Sequence, residues 1–477
     1  MNQDWANLIG GDWVRPHGDR TIAVVNPASE AEIGRLPLAG KAELDRALEA
    51  AEAGFKLWRK VLPQDRAKVV RKFGALMRDN TERLAAAITA EQGKTLAEAR
   101  GEVAGAAELV EWLAEEGRRL YGRIVPSRFP DSRILVMHEP VGVVAAFSPW
   151  NFPCSMVSRK IAHALAAGCS VIVKPAEETP TAAIILGRLC QEAGVPPGVV
   201  NIVYGDPAEV SAHLIGSPVV QKISLTGSVS VGKHLAALAA RDLKKVTLEL
   251  GGHSPTVVFD DADVALAAKQ CVGSRFRNAG QVCTAPTRFY VQSGAVERFT
   301  SHFVEAARAI KVGDGAEPGV QMGPLSNRRR LEAMEEFVAD AKTRGAQVLT
   351  GGERLGNRGF FFAPTVFADA PVDSAVMTRE PFGPLAPIRA FDTVEEVLEQ
   401  ANSLPYGLAA YAFTGSHKTA AAMSEGLRAG VVAINGVTVT APEAPFGGVG
   451  DSGVGREGGA EGLAEYTHIK TVTETFL

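Results

Sequence analysis

Cys283 stands in the segment Phe276-Arg277-Asn278-Ala279-Gly280-Gln281-Val282-Cys283-Thr284, a lone cysteine behind an Asn-x-Gly turn. A thiol attacks carbon as the thiolate, so a nucleophile here needs a site where its pKa falls and a substrate reaches it. A glycine-containing turn beside Arg277 supplies both. Taken alone, a free cysteine is more often a small buried hydrophobe. Two further segments shift that balance. Glu249, in Thr247-Leu248-Glu249-Leu250-Gly251-Gly252, is a carboxylate in an apolar run, where burial raises its pKa toward neutrality and suits it to deprotonate water; a satisfied ion pair at a domain seam is the alternative. Phe147-Ser148-Pro149-Trp150-Asn151-Phe152-Pro153 sets the Asn151 amide between two prolines, a fixed donor for half of an oxyanion hole, with the Cys283 backbone N–H as the other half.

These groups need a scaffold of sufficient size, and 477 residues with 46% hydrophobic content bury a core divided among two or three domains. Residues 41–120 carry helical spacing. From residue 134 onward β-branched runs alternate with amphipathic stretches: strands at 141–147, 170–174, 199–204, 222–226 and 245–250, helices at 158–167, 181–193 and 208–215. That alternation predicts βαβ units and a parallel, doubly wound sheet, with a second α/β set from 256 to about 433. Lys174-Pro175-Ala176-Glu177 falls at a strand end, where open α/β sheets bind ligands. A carboxylate there accepts from both ribose hydroxyls and repels a 2′-phosphate, so Glu177 favours NAD over NADP. Gly227-Ser228-Val229-Ser230-Val231-Gly232 joins a strand to a helix, and its glycines let backbone N–H groups approach an anion. Each of these two motifs is weak alone, since solvated charges or a plain turn is the commoner explanation.

Lys plus Arg number 50 against 54 Asp plus Glu, a net charge of −4 that gives no reason to expect nucleic acid. No apolar run approaches the roughly 18 residues that span a bilayer, and Met1–Asn7 lacks the pattern of a signal peptide. The five cysteines form no Cys-x-x-Cys pair, the nine histidines no His-Glu-x-x-His helix. A cytoplasmic chain without disulfides or metal is expected.

Six segments occur in order along the chain: Pro149-Trp150-Asn151-Phe152-Pro153, Lys174-Pro175-Ala176-Glu177, Glu249-Leu250-Gly251-Gly252, Gly280-Gln281-Val282-Cys283, Glu380-Pro381-Phe382-Gly383-Pro384 and Pro445-Phe446-Gly447-Gly448. In these segments the chain resembles the NAD(P)-dependent aldehyde dehydrogenases nearly from end to end. The resemblance implies an α/β fold of the aldehyde dehydrogenase type: a Rossmann-type NAD-binding domain (1–120 and 138–250), an α/β catalytic domain (251–444) and a small β oligomerisation element (121–137 and 445–477), assembled as a homodimer or homotetramer. It implies catalysis by Cys283, Glu249 and Asn151 through a thiohemiacetal and a thioester, with Lys160 in a proton relay with Glu457. Lys174 and Glu177 would hold the adenosine ribose, Ser228 with Gly227 and Gly232 the pyrophosphate, Glu380 the nicotinamide ribose and Phe382 the nicotinamide, with Trp150 and Leu250 completing the NAD site.

Arg277 and Arg159 resemble the arginines of semialdehyde dehydrogenases, and two guanidinium groups at the substrate mouth would hold a carboxylate with the aldehyde end at Cys283. A short dicarboxylic semialdehyde is expected, 2-oxoglutarate semialdehyde or succinate semialdehyde. Succinate semialdehyde enzymes often carry a second cysteine two positions past the nucleophile, where this chain has Ala285, so no local disulfide forms. Segments 111–119 and 204–209 look closer to bacterial 2-oxoglutarate semialdehyde dehydrogenases. A CoA-acylating semialdehyde dehydrogenase and a broad-specificity aldehyde dehydrogenase are the alternatives, and a non-catalytic member of the fold is the least favoured.

Overall fold

The computed structural model describes residues 5–16 and 20–476; the first four residues of the N-terminal stretch read above lie outside them. Five parallel strands form the centre of the first sheet in the order Lys245–Glu249, Val220–Thr226, Val143–Phe147, Ser170–Lys174, Val200–Ile202. Val-Val-Ala-Ala-Phe and Ser-Val-Ile-Val-Lys are buried along their whole length, as parallel strands covered by helices on both faces must be. Of these five strands the chain forms Val143–Phe147 first, builds outward to Val200–Ile202, then returns to the other flank with Val220–Thr226. The strand order therefore reverses between Val143–Phe147 and Val220–Thr226, and the crevice beyond their carboxyl ends is where an open sheet receives a ligand.

Local chemistry shifts several element boundaries from those expected. The strand expected at 141 starts at Val143, because Gly142 takes φ 126°. The run 199–204 narrows to Val200–Ile202, since the Tyr204 N–H donates to the Asn7 side chain rather than continuing a ladder. The helix expected at 158 begins five residues earlier, at Pro153, a residue that suits a first helical position with no N–H to satisfy. It ends at Gly168, whose φ of 93° is left-handed.

The second sheet runs Thr365–Ala368, Leu385–Phe391, Pro286–Gln292, Ser254–Val258, Ala409–Phe413, Val431–Ile434 in parallel, with Gln347–Thr350 antiparallel at one edge. Its core is separate from the cores that flank the first sheet. Four helices, Lys41–Trp58, Pro63–Asp79, Thr81–Gln92 and Leu96–Glu116, account for the helical stretch 41–120. A third sheet joins Arg123–Val125, Ser132–Pro140 and Thr467–Thr475. Of the segment 445–477, residues 445–466 lie outside that sheet: Gly453–Val454 pairs with the end of Lys245–Glu249, and Gly459–Ala464 is helical.

Candidate active site

A cavity of about 1190 Å³ opens at the reversal point of the first sheet and is lined from both α/β units. Trp150 and Asn151 reach it from the loop after Val143–Phe147, Gly227 and Ser228 from the end of Val220–Thr226, and Glu249 and Leu250 from the end of Lys245–Glu249. Arg277, Cys283, Glu380 and Phe382 come from the second unit, and Arg159 from the helix Pro153–Ala167. The structure thus brings together residues far apart in the chain. Lys160, Lys174, Glu177 and Gly232 lie outside this lining.

The approach to Cys283 is a turn at Arg277–Gly280 in which Asn278 and Ala279 both take φ 52°. Left-handed backbone at two successive non-glycine residues costs energy, on the order of 1–3 kcal/mol each, and persists only where the surroundings hold it. They do. The Asn278 N–H donates to Glu98 Oε1 at 2.7 Å and its side-chain amide to the Asn151 carbonyl at 3.0 Å. The Asn151 amide in turn donates to the Gln281 carbonyl at 3.0 Å, which leaves one of its two N–H groups for another acceptor.

Burial pushes the Cys283 thiol up to about 12, with Glu380 and Glu249 adding to the rise. This overturns the expectation that the turn itself lowers the thiol pKa: carboxylates, not Arg277, dominate the local field. Burial, then the neighbouring Glu457, raises Glu249 well above the carboxylate range, as the sequence suggested. Neither Glu249 oxygen has a hydrogen-bond partner, so the side chain is not the satisfied ion pair that was the alternative reading. A Cβ on Gly447 would come within 2.7 Å of Glu249 Oε1, so the glycine leaves that carboxyl its room. Lys160, fully buried, donates to Glu457 Oε1 and to Ser224 Oγ, each at 3.0 Å. Burial alone would raise Glu457, but Lys160 and Arg159 hold it below the usual range. Burial lowers His163 to about 4, so it is neutral, donating Nδ1–H to the Arg159 carbonyl and accepting from the Gly458 N–H.

The crevice suits a dinucleotide. Ser228 caps the twelve-residue helix Val229–Ala240 by accepting from the Val231 N–H, Val229 and Ser230 of its first turn line the cavity, and Gly232 packs against Leu250 where a side chain would collide. Lys174 and Glu177 form an ion pair at the end of Ser170–Lys174, the outer flank of the same crevice. On the other wall, Glu380 Oε1 accepts from the Gly252 N–H at 3.2 Å, and burial raises its carboxyl to about 7. Phe382, at φ 43°, meets Trp150 edge-on at 5.6 Å. Among the described residues no group of three or more His, Cys, Asp or Glu is arranged to hold a metal, and no helix is long and apolar enough to cross a membrane.

The two arginines differ. Arg159 Nη1 lies 3.5 Å from Glu457 Oε2, and its guanidinium stacks 5.7 Å from the Phe446 ring. Arg277 is exposed at the rim, 5.6 Å over the Phe152 ring, and makes no ion pair with any acid among the described residues. Sequence reasoning missed Lys94 and Glu102, which pack under the Asn151 loop. The signal was present: Gly93-Lys94-Thr95 interrupts the helical stretch, and Thr95-x-x-Glu98 is a capping box.

A model of the aldehyde dehydrogenase family matches residues 13–472. The chain is 48% identical to a 4-(hydroxymethyl)benzenesulfonate dehydrogenase of Comamonas testosteroni over 97% of its own length and 96% of the relative's. It is 42% identical to the NADP-linked succinate-semialdehyde dehydrogenase of Escherichia coli (strain K12), with 97% and 96% covered. The solved succinate-semialdehyde dehydrogenase of Burkholderia pseudomallei superimposes with a TM-score of 0.98 at 42% identity, covering 100% of this chain and 99% of that one. A cysteine, an unpartnered buried glutamate and a fixed amide around one cavity, on a fold shared from end to end, make this chain an enzyme of the aldehyde dehydrogenase family.

Proposed function

We propose that the chain oxidises a small aldehyde bearing an anionic group at its far end, with NAD as the preferred oxidant. The observation that carries this is Arg277, a guanidinium on the lining of the Cys283 cavity with no acid among the described residues to neutralise it. A planar fork of N–H donors there suits a carboxylate or a sulfonate. Arg159, already drawn to Glu457, contributes positive potential more than a free fork. The resemblance favours 2-oxoglutarate semialdehyde and succinate semialdehyde, and the relative named for a benzenesulfonate widens the anion to sulfonate. A pocket discriminates only ~1–3 kcal/mol per methylene, so the anion is the firmer part of the assignment.

In this reading the Cys283 thiol gives its proton to water in the cavity as Sγ forms a bond to the aldehyde carbon, and the carbonyl oxygen becomes an oxyanion held by the Asn151 amide and the Cys283 N–H. Gly227, Ser228, Leu250, Glu380, Phe382 and Trp150, with Lys174 and Glu177 at the adenosine end, would hold the dinucleotide, which would supply the hydride acceptor at the thiohemiacetal carbon. Glu249 then takes a proton from water, the hydroxide attacks the thioester carbon, and the carbon–sulfur bond breaks to release the acid. The proton on Glu249 passes toward Glu457 and Lys160. Release to water rather than to CoA is favoured because Glu249 faces the cavity with both oxygens free. Copies of the chain would associate through the third sheet, where Ile124, Phe129, Ile469 and Phe476 are exposed.

The test is a panel of carboxylate, sulfonate and neutral aldehydes assayed with NAD and with NADP, without CoA. Higher kcat/KM for the anionic members is expected. Equal values for neutral aldehydes of the same size would overturn the substrate class, and a requirement for CoA would overturn hydrolysis.

A further inference from the structure

Lys94 lies just before the helix Leu96–Glu116 with a fully buried side chain. Its Nζ donates to Glu102 Oε2 at 2.6 Å and to the backbone carbonyl of Asn151 at 2.8 Å, and sits 3.8 Å over the Phe152 ring. Two of the three N–H bonds of the ammonium have acceptors, and the Phe152 ring covers the charge. Glu102 is engaged as well: its Oε1 accepts from the Cys154 N–H at 2.8 Å and the Ser155 N–H at 3.1 Å, the first turn of the helix that follows Asn151. One turn earlier on the same helix, Glu98 holds the Asn278 N–H, and Asn278 reaches back to the same Asn151 carbonyl.

The loop that bears Asn151 is therefore tied on both sides to one helix, and that helix also grips the turn that leads to Cys283. Burying an ammonium and a carboxylate together is costly, and a pair of apolar residues would stabilise the fold at least as well. What apolar residues cannot do is donate to the Asn151 carbonyl. We propose that Lys94, held by Glu102, is a positioning residue that fixes Asn151 where the oxyanion forms. The inference rests on Asn151 being an oxyanion donor. Neither Lys94 nor Glu102 touches the reacting atoms; each acts through the loop. An error of about 1 Å in such a group can cost on the order of 10²-fold in rate.

The experiment compares three enzymes by single-turnover formation of reduced cofactor and by cofactor Kd: Asn151→Ala, the neutral pair Lys94→Met with Glu102→Gln, and the combination of all three changes. Glu102→Gln keeps an oxygen for the Cys154 and Ser155 N–H groups while removing the charge that Lys94→Met would strand. Asn151→Ala should lose about 10²–10³-fold. The neutral pair should lose about 30–100-fold with cofactor Kd within about twofold, and should lose less than about threefold more in the Asn151→Ala background. A neutral pair as fast as the parent, losses that multiply with Asn151→Ala, or a Kd that worsens in step with the rate would overturn the proposal. An Asn151→Ala enzyme at full rate would remove the oxyanion assignment itself, a result distinct from loss in Asn151→Ala alone. Should the neutral pair not fold, Lys94→Arg keeps the cation beside Glu102 but displaces its donors. About a tenfold loss, suppressed in the Asn151→Ala background, is then expected, and its absence counts against the proposal.

Discussion

Glu457 Oε1 lies 3.0 Å from Lys160 Nζ, and this contact joins the cavity to groups buried behind it. Glu457 lines the cavity that Glu249 faces, and its negative charge is the neighbour that adds to burial in raising the Glu249 pKa. A group with a raised pKa acts as a base only above that pKa, so hydrolysis of the thioester should accelerate with pH along a limb displaced above the ordinary carboxylate range. Glu457→Gln removes a negative neighbour and leaves Lys160 and Arg159 uncompensated, and both changes lower the Glu249 pKa. The acidic limb of the kcat–pH profile should therefore move to lower pH by at least about half a unit, and a limb that stays or moves up contradicts the coupling.

Burial and the carboxylates of Glu380 and Glu249 push the Cys283 thiol up to about 12, so a protonated thiol is expected at neutral pH in the cofactor-free protein. Below its pKa the thiolate fraction grows about tenfold per pH unit. Alkylation by iodoacetamide should follow that slope from pH 7 to 9, and a plateau in that range would show the thiol to be far more acidic. Cys283→Ala should reduce turnover by at least about 10³-fold while the cofactor still binds.

Lys174 and Glu177 neutralise each other in an ion pair at the outer flank of the cofactor crevice. Glu177→Ser would free the ammonium and remove the carboxylate that repels a 2′-phosphate. The ratio of kcat/KM for NADP to that for NAD should rise about tenfold or more, and an unchanged ratio would show that cofactor choice lies elsewhere.

Much of this site was legible because several of its groups fall at a strand end, where a hydrophobic run stops and a glycine or proline follows, whereas Cys283 stands between the Arg277–Gly280 turn and the strand Pro286–Gln292. Asn151 after Val143–Phe147, Lys174 closing its strand, Gly227 after Val220–Thr226 and Glu249 closing Lys245–Glu249 all obey that pattern. The groups that hold them do not. Lys94 reaches Asn151 across 57 positions and Lys160 reaches Glu457 across 297, and no local periodicity encodes such contacts. The fate of Arg159 was hidden for the same reason, since its acid partner lies at the far end of the chain. The direction of the Cys283 shift was also misjudged, because the sequence displays the neighbouring Arg277 but not the convergence of Glu380 and Glu249.

If Arg277 holds the substrate anion as proposed, its substitution separates substrate recognition from catalysis. It is exposed at the rim, stacked on Phe152 and without an acid partner among the described residues, so its removal strands no buried charge and should leave the fold intact. Arg277→Ala should raise KM for carboxylate and sulfonate aldehydes about tenfold, the size of one charge-assisted contact near solvent, while KM for neutral aldehydes changes less than about twofold. Because the contact is exposed, the parent's preference for anionic aldehydes should also shrink as salt is raised from about 0.01 to 0.5 M, as the Debye length falls from about 30 Å toward a few ångströms. In Arg277→Ala that salt dependence should be largely lost. Equal KM increases for charged and neutral aldehydes would mean that Arg277 shapes the Phe152 loop rather than the charge at the mouth.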